Sequence, residues 1–254
     1  MELVTASDSR YFRTLQQFLA SVRRVQPELE ITVWDLGLSP DQRASLTCRV
    51  RTFPFGQHPP HVGVLSAYGW KPLCLQAMAP GPVLWLDAGT LLKHRLGRVA
   101  RALETVGIYT MVGQSPQERW CRTEVFDALA VPAEVRRELV RVGCVLGLDT
   151  SRPRVAAFLD DWTRLCLQES LLMPEGHSRR DHRYDQSLLN IALARSDLEL
   201  VVEDEVDISS GRPADFLSTR NFVRPGAPLW TDPIYRAWSA TWKAVDQAAH
   251  RWRS

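Results

Sequence analysis

The sequence predicts an α/β fold, a single domain with a mainly parallel central sheet flanked by helices. Three observations carry this expectation. Short apolar runs of strand character alternate with stretches of helical period from the first residues onward. One run, PVLWLD over 82–87, is apolar almost throughout, as a central strand covered on both faces must be. The 254 residues are 45% hydrophobic and 24% charged, enough for one large core, and no repeat or long linker divides them.

The elements follow in order. ELVTA (2–6) is a short strand, and SRYFRTLQQFLASVRRV (9–25) places Tyr11, Leu15, Phe18, Leu19, Val22 and Val25 at helical spacing. EITVWDL (30–36) is strand-like. SPDQRASL (39–46) then offers Ser39 as N-cap, Pro40 at the first helical position and Gln42 three residues after the cap. CRVRTF (48–53) is a third strand, and a loop rich in Pro, Gly and His (54–63) leads to a helix over LSAYGWKPLCLQAM (65–78). After the strand at 82–87 come a helix near 95–104, a strand GIYTMV (107–112), helices within 117–141 and a strand GCVLGL (143–148). RVAAFLDDWTRLCLQES (154–170) is an amphipathic helix. Beyond the polar loop PEGHSRRDHRYD lie the helix DQSLLNIALA (185–194), the strand LELVV (198–202) and a Trp-rich helix from about 233.

The bulk properties exclude several classes. A net charge of +2 offers no electrostatic case for nucleic acid. Of 31 basic residues only Lys71, Lys93 and Lys243 are lysines, and the abundant arginines suit phosphate recognition. Cys48, Cys74, Cys121, Cys144 and Cys166 are scattered without a CxxC pair, which predicts free thiols in a reducing compartment. The first strand begins at Glu2, leaving no room for a signal peptide, and no apolar run reaches the ~18 residues of a membrane span, so the expected location is the cytosol. GxGxxG and the phosphate-loop pattern are both missing.

In parallel α/β sheets, ligands bind beyond the carboxyl ends of the strands. The candidate ends are TASD, DLGLS, DAGT and GLDTS. In TASDSRY (5–11), Asp8 can accept the N–H of a pyrimidine and Tyr11 can stack on it; alternatively Asp8 caps the next helix and Tyr11 begins its core face. Lys71, in AYGWKP, can meet a phosphate or sugar hydroxyl, or be a solvated helix lysine. Asp87, in DAGT, is either a ligand for a hard divalent cation or the cap of a tight glycine turn. RRDHRYDQSLLN (179–190) is the densest polar stretch, with Asp185 as expected N-cap, Gln186 and Asn190 inside the helix, and Arg179, Arg180, His182 and Arg183 as phosphate donors or an ordinary surface loop. Trp120 is a sugar-stacking platform or a core residue. In the terminal helix Ile234, Trp238, Trp242, Val245, Ala249 and Trp252 form an apolar stripe with basic flanks, suited to packing on the domain or a partner, or to peripheral contact with a membrane.

Together, TASDSRY, WKP, LWLDAG and HRYDQS resemble the GT-A fold glycosyltransferases of the family-8 type, which includes glycogenin and the lipooligosaccharide galactosyltransferases, over Val4 to about Asn221. The resemblance implies one GT-A (nucleotide-diphospho-sugar transferase) domain with a nucleotide-binding half (1–112), an acceptor half (113–230) and a C-terminal helix (231–254). It implies transfer of a sugar from a nucleotide-diphosphate donor, a UDP-sugar, to a glycan, lipid-linked or other hydroxyl acceptor, with retention at the anomeric carbon. On the matching positions, Thr5, Ala6, Asp8 and Tyr11 would hold the base, and Lys71 would reach the donor's phosphate or sugar. Asp87 would ligate Mn²⁺ or Mg²⁺ beside Gly89, while Asp185 and Gln186 would lie beneath the reacting sugar carbon.

Two departures stand out. Gly89 replaces the second metal aspartate, and the family's C-terminal metal histidine with its Gly-x-x-Lys-Pro-Trp run is absent. TRNFVRPG (219–226) stands in its place, with Arg220 and Arg224 as cations expected to neutralise part of the diphosphate charge. The rival readings are a nucleotidyltransferase, disfavoured because TASDSRY lacks glycine, and a catalytically inactive sugar-nucleotide or glycan-binding protein of the same fold.

Overall fold

The apolar run at 82–87 forms β4 (Pro82–Leu86), buried at every position but its first, and the main sheet is built around it. A computed structural model of the protein describes residues 1–200 and 216–218. The chain runs β1 (Glu2–Ser7), α1 (Phe12–Val25), β2 (Ile31–Asp35), α2 (Pro40–Ala44), β3 (Arg49–Thr52), α3 (Trp70–Gln76), β4, β5 (Thr90–Leu92) and α4 (Gly97–Thr105). It continues β6 (Ile108–Pro116), α5 (Thr123–Ala128), α6 (Ala133–Arg137), β7 (Leu139–Asp149), α7 (Pro153–Cys166), α8 (Glu169–Leu172), α9 (Asp185–Arg195) and β8 (Phe216–Ser218).

Six strands form one sheet in the order β3-β2-β1-β4-β7-β6. The pairs among β1 to β4 are parallel, whereas β7 pairs antiparallel with both β4 and β6. Five strands therefore share one direction and β7 alone opposes them, so the expected mainly parallel sheet is a mixed one. Alternate side chains of each central strand enter different cores, as a period-2 backbone requires. Leu3, Val33, Leu84, Leu86 and Val145 pack with α1 and α4. Val4, Trp34, Val83, Trp85, Leu146 and Leu148 pack with α3, α7 and α9. Complete burial of each such side chain contributes on the order of 1.5–3 kcal/mol.

Local chemistry explains most boundaries. The capping box appears as expected: Ser39 Oγ accepts from Gln42 N, and Gln42 Oε1 accepts from Ser39 N. The helix expected over 65–78 is interrupted, because a 3₁₀ turn at Leu65–Ala67 ends on Tyr68 in the left-handed region (φ 57°) before α3 begins. The helix expected over 154–170 is likewise divided into α7 and α8. The strand expected at 198–202 is not formed over 198–200. A second, two-stranded antiparallel sheet joins β5 to β8, and neither strand was signalled by a long apolar run. The expected C-terminal helix lies outside the described residues. The five cysteines are free thiols, as expected. Among the described residues no helix is long and apolar enough to cross a membrane.

The connection from α4 to β6 turns on Gly107, whose φ of 84° favours glycine. A Cβ there would stand 2.5 Å from Arg152 Cδ. Arg152 cannot easily yield, since its guanidinium holds Asp149 and the carbonyls of Glu104 and Thr105. Gly107→Ala should therefore lower unfolding free energy by about 1–3 kcal/mol in urea titrations, combining backbone strain with a displaced side chain; an unchanged midpoint would refute this account.

Candidate functional site

The carboxyl ends of β1, β2 and β4 and the amino-terminal half of β7 face a cleft with two adjoining cavities. β7 contributes here because it runs backwards: Leu86 pairs with Val145, so Gly143 and Cys144 lie just beyond the end of β4. The same reversal removes one expected candidate. Asp149, in GLDTS, pairs with Pro82 at the opposite edge of the sheet and binds Ser151 and Arg152. Asp35, in DLGLS, is also structural. Burial raises its pKa, but the Leu38 and Gly37 amides and Arg43 outweigh this and hold the carboxyl below its usual range.

The first cavity, about 430 Å³, is walled by Ala6, Asp8, Tyr11, Trp85, Asp87 and Gly89 among others. Asp8 Oδ1 accepts from the amides of Arg10 and Tyr11, both at 3.0 Å, and Oδ2 pairs with Arg10 at 3.2 Å. Asp8 thus closes the turn into α1 and lines the cavity, but it does not cap the helix: the N-cap is Tyr11, and no side chain caps it. Thr5 does not reach the wall: it is wholly buried within β1, and its hydroxyl has no protein partner.

The second cavity, about 370 Å³, is lined by Lys71, Gly143, Arg183, Tyr184, Asp185 and Gln186. Tyr68, Asp87, Cys144 and Arg179 line both cavities and mark their seam. Lys71, only 2% exposed, sits in the first turn of α3 and points its ammonium at three oxygens. These are Gly143 O at 2.9 Å, Asp87 Oδ1 at 3.0 Å and Asp185 Oδ2 at 3.2 Å. The last is an ion pair without hydrogen-bond alignment, since Asp185 Oδ2 has no hydrogen-bond partner. The ammonium also lies 5.3 Å and 5.5 Å from the ring centroids of Tyr68 and Trp85, within cation–π reach. Trp85 Nε1 donates to Asp87 Oδ1 at 2.7 Å. Burial alone would favour neutral lysine, but Asp185 and Asp87 outweigh it and raise the Lys71 pKa, so the ammonium stays charged.

Asp185 is the first residue of α9, not its N-cap; the cap position is Tyr184, and no side chain caps the helix. The Asp185 carboxylate turns inward to Lys71. Burial, opposed by Lys71 and assisted by Asp87, pushes its pKa up to about 6. Trp162 Nε1 holds the Asp185 carbonyl at 3.0 Å. Asn190 clamps α9 to β7, accepting from Arg141 N and donating to Arg141 O and Gln186 O, so its role is architectural. Two of the three non-glycine residues with positive φ among the described residues, Tyr68 and Tyr184 (φ 48°), line the second cavity beside the charged cluster. Such strain costs on the order of 1–3 kcal/mol per residue and concentrates at functional sites.

Other expectations fare differently. His182 is completely buried, and burial lowers its pKa to about 4, so it is neither a phosphate donor nor a base at neutral pH. Trp120 carries the guanidiniums of Arg183 at 3.8 Å and Arg119 at 4.5 Å over its ring, which makes it an arginine platform rather than an open sugar platform. Arg220 and Arg224 lie outside the described residues. Sequence reasoning had not singled out Tyr68, Trp85, Gly143 or Cys144; the only signal for Tyr68 was its place beside Gly69 and Lys71 in AYGWKP.

The fit to a divalent cation can be judged from the donor set. Mg²⁺ seeks near-octahedral oxygen coordination. Asp87 Oδ1 already faces an ammonium and an indole N–H, and Gly89 has no side chain to offer. Among the described residues no three His, Cys, Asp or Glu side chains come together in a metal-binding group. The described residues do not by themselves assemble a ligand set for a resident metal ion.

No protein-family model matches the chain, and no curated protein matches its sequence. Among solved structures, the apo form of mouse xyloside xylosyltransferase 1 aligns at a TM-score of 0.50 and 13% identity, over 80% of this chain and 84% of that one. The fold is that of the GT-A glycosyltransferases. The apo structure of the WbbM bifunctional glycosyltransferase aligns at a TM-score of 0.50 and 12% identity, over 76% of this chain and 37% of that one. Galactosyltransferase LgtC, in complex with donor and acceptor sugar analogs, aligns over 76% of this chain and 70% of that one at 20% identity and a TM-score of 0.49.

Lys71→Met leaves two carboxylates facing each other without their cation. It should cost about 3–5 kcal/mol at pH 7, as when one partner of a buried ion pair is removed. Without Lys71, the folded pKa of Asp185 rises further above its ordinary 3.8, so the variant's stability declines as pH rises through that window. The deficit against the parent should accordingly narrow as denaturation is repeated from pH 7 down toward pH 5; a pH-independent deficit would contradict the charge cluster.

Proposed function

We propose that the protein is a glycosyltransferase that moves a sugar from a nucleotide-diphosphate donor, a UDP-sugar, to a hydroxyl of a glycan or lipid-linked acceptor. The single observation that carries this reading is the meeting of Lys71, Asp87, Asp185 and Gln186 around the second cavity, which adjoins a cavity suited to a nucleoside, on a GT-A fold. The family-8-type motifs supply these same residues, and in solved GT-A neighbours named as glycosyltransferases the fold carries sugar transfer.

In this reading the base occupies the first cavity against Asp8 and Tyr11, and the sugar rests against Gln186 and Asp185. The anomeric C–O bond breaks, and its electron pair leaves on the β-phosphate oxygen. The acceptor hydroxyl oxygen bonds to the same carbon from the side of the departing diphosphate, so that configuration is retained, and its proton passes to the leaving phosphate oxygen. The Asp185 carboxylate opposes the positive charge that develops on the carbon, and Lys71 fixes that carboxylate in place. Preorganised charge of this kind is commonly the largest catalytic contribution. No step requires a bound metal.

A thermal-shift panel of nucleotide sugars followed by donor hydrolysis and transfer assays tests the reading; no shift and no turnover with any of them would overturn it. Asp185→Asn should reduce transfer by about 10²–10³-fold, the scale of losing one preorganised electrostatic group. Its melting temperature should barely move, because burial already favours a neutral group there and Lys71 keeps Asp87 and Gly143 O. With the Asp185 pKa near 6, protonation disables the carboxylate below that value, so kcat/KM should fall as pH drops through about 6. That acidic limb should be missing from Asp185→Asn.

A further inference from the structure

The seam between the two cavities carries a cation that the cluster beneath it does not use. Arg179 lines both cavities, and its Nη2 donates to the Tyr68 hydroxyl at 2.7 Å, with the guanidinium carbon 5.4 Å from the Tyr68 ring centroid. Lys71 lies 5.3 Å from the same centroid, so one strained tyrosine positions two cations. They differ in what balances them. Lys71 is held by two aspartates and a carbonyl, and Arg10, in the wall of the first cavity, pairs with Asp8. Arg183 is stacked on Trp120 and lines the second cavity but not the first. Among the described residues, no carboxylate pairs with Arg179, and the groups that raise its pKa against the effect of burial are tyrosines.

Arg179 is exposed, so its guanidinium is open to a ligand from the cleft, and its planar fork, fixed by a neutral hydroxyl, matches phosphate oxygens in pairs. The donor's diphosphate joins its nucleoside to its sugar, and it must therefore cross the seam where Arg179 stands. We propose that Arg179, held by Tyr68, binds the diphosphate of the donor and neutralises it as the leaving group without a metal ion. This rests on the donor-binding reading above. Tyr68 is a positioning residue, acting through Arg179.

Calorimetric titration of the full chain in EDTA with inorganic pyrophosphate, UDP and uridine tests the proposal. Arg179→Ala should weaken pyrophosphate and UDP by roughly tenfold or more, the scale of a lost charge-assisted hydrogen-bond pair, and leave uridine within about twofold. Arg179→Lys should recover part of the loss, and Tyr68→Phe should show a smaller loss for the same two ligands. Equal pyrophosphate affinity in Arg179→Ala and the parent would overturn the proposal, as would parental pyrophosphate binding that appears only on adding Mn²⁺. The two readings separate cleanly. If Arg179→Ala loses pyrophosphate but the parent transfers no sugar, the anion site stands and the transferase reading falls. If Arg179→Ala transfers sugar at the parental rate in EDTA, the anion site falls and the transferase reading stands.

Discussion

The Lys71 ammonium is the constraint around which the cleft is arranged. Taking a charged amine out of water costs several kcal/mol, and only close opposite charge with further polar contacts offsets it. Here those contacts come from four separate segments: α3 carries the lysine, the loop after β4 carries Asp87, β7 carries the Gly143 carbonyl and α9 carries Asp185. Together they keep the charge tolerable, so the cluster fixes the relative positions of sheet and helices at the floor of the cleft. Asn190 and Trp162 reinforce this from behind by tying α9 to β7 and α7.

The reversal of β7 makes that arrangement possible. A parallel strand in its position would leave its carbonyl at residue 143 at the wrong edge. Running antiparallel, β7 brings Gly143 and Cys144 beside the end of β4 and sends Asp149 to the far side. The result is a division of charge across a short distance. One lysine between two aspartates leaves a residual negative charge at the floor of the cleft, where, in the proposed reading, a sugar carbon would gain positive character. The adjacent seam presents a guanidinium that no carboxylate pairs with among the described residues, where the proposal places the diphosphate. On that proposal, ground-state binding and transition-state stabilisation would fall to different side chains.

Much of this was legible in the residues, but unevenly. The apolar runs located β1, β2 and β4 and the helical period located α1, because a covered strand and an amphipathic helix leave clear patterns. Lys71, Asp87, Asp185 and Gln186 were each nominated by their place at a strand or helix end. Their convergence was not visible, since 114 positions separate Lys71 from Asp185 and nothing local records a long-range ion pair. The direction of β7 was also hidden, because an apolar run is equally compatible with either sense. Asp185 was expected to cap α9 by propensity, and a buried lysine outcompeted the backbone amides for it. His182 and Arg179 sit three residues apart in one polar loop, yet one is sealed in the core and the other stands at the seam. Their residue types alone could not separate them.

Tyr68 adopts a backbone conformation that asparagine or glycine would occupy more comfortably. Its ring and hydroxyl nonetheless face Lys71 on one side and Arg179 on the other. Folding alone would be served by a smaller residue here, while the contacts to both cations need the aromatic ring. The backbone at position 68 thus stores strain while its ring and hydroxyl orient two cations, so local stability and the geometry of the cleft pull on this one residue in opposite directions.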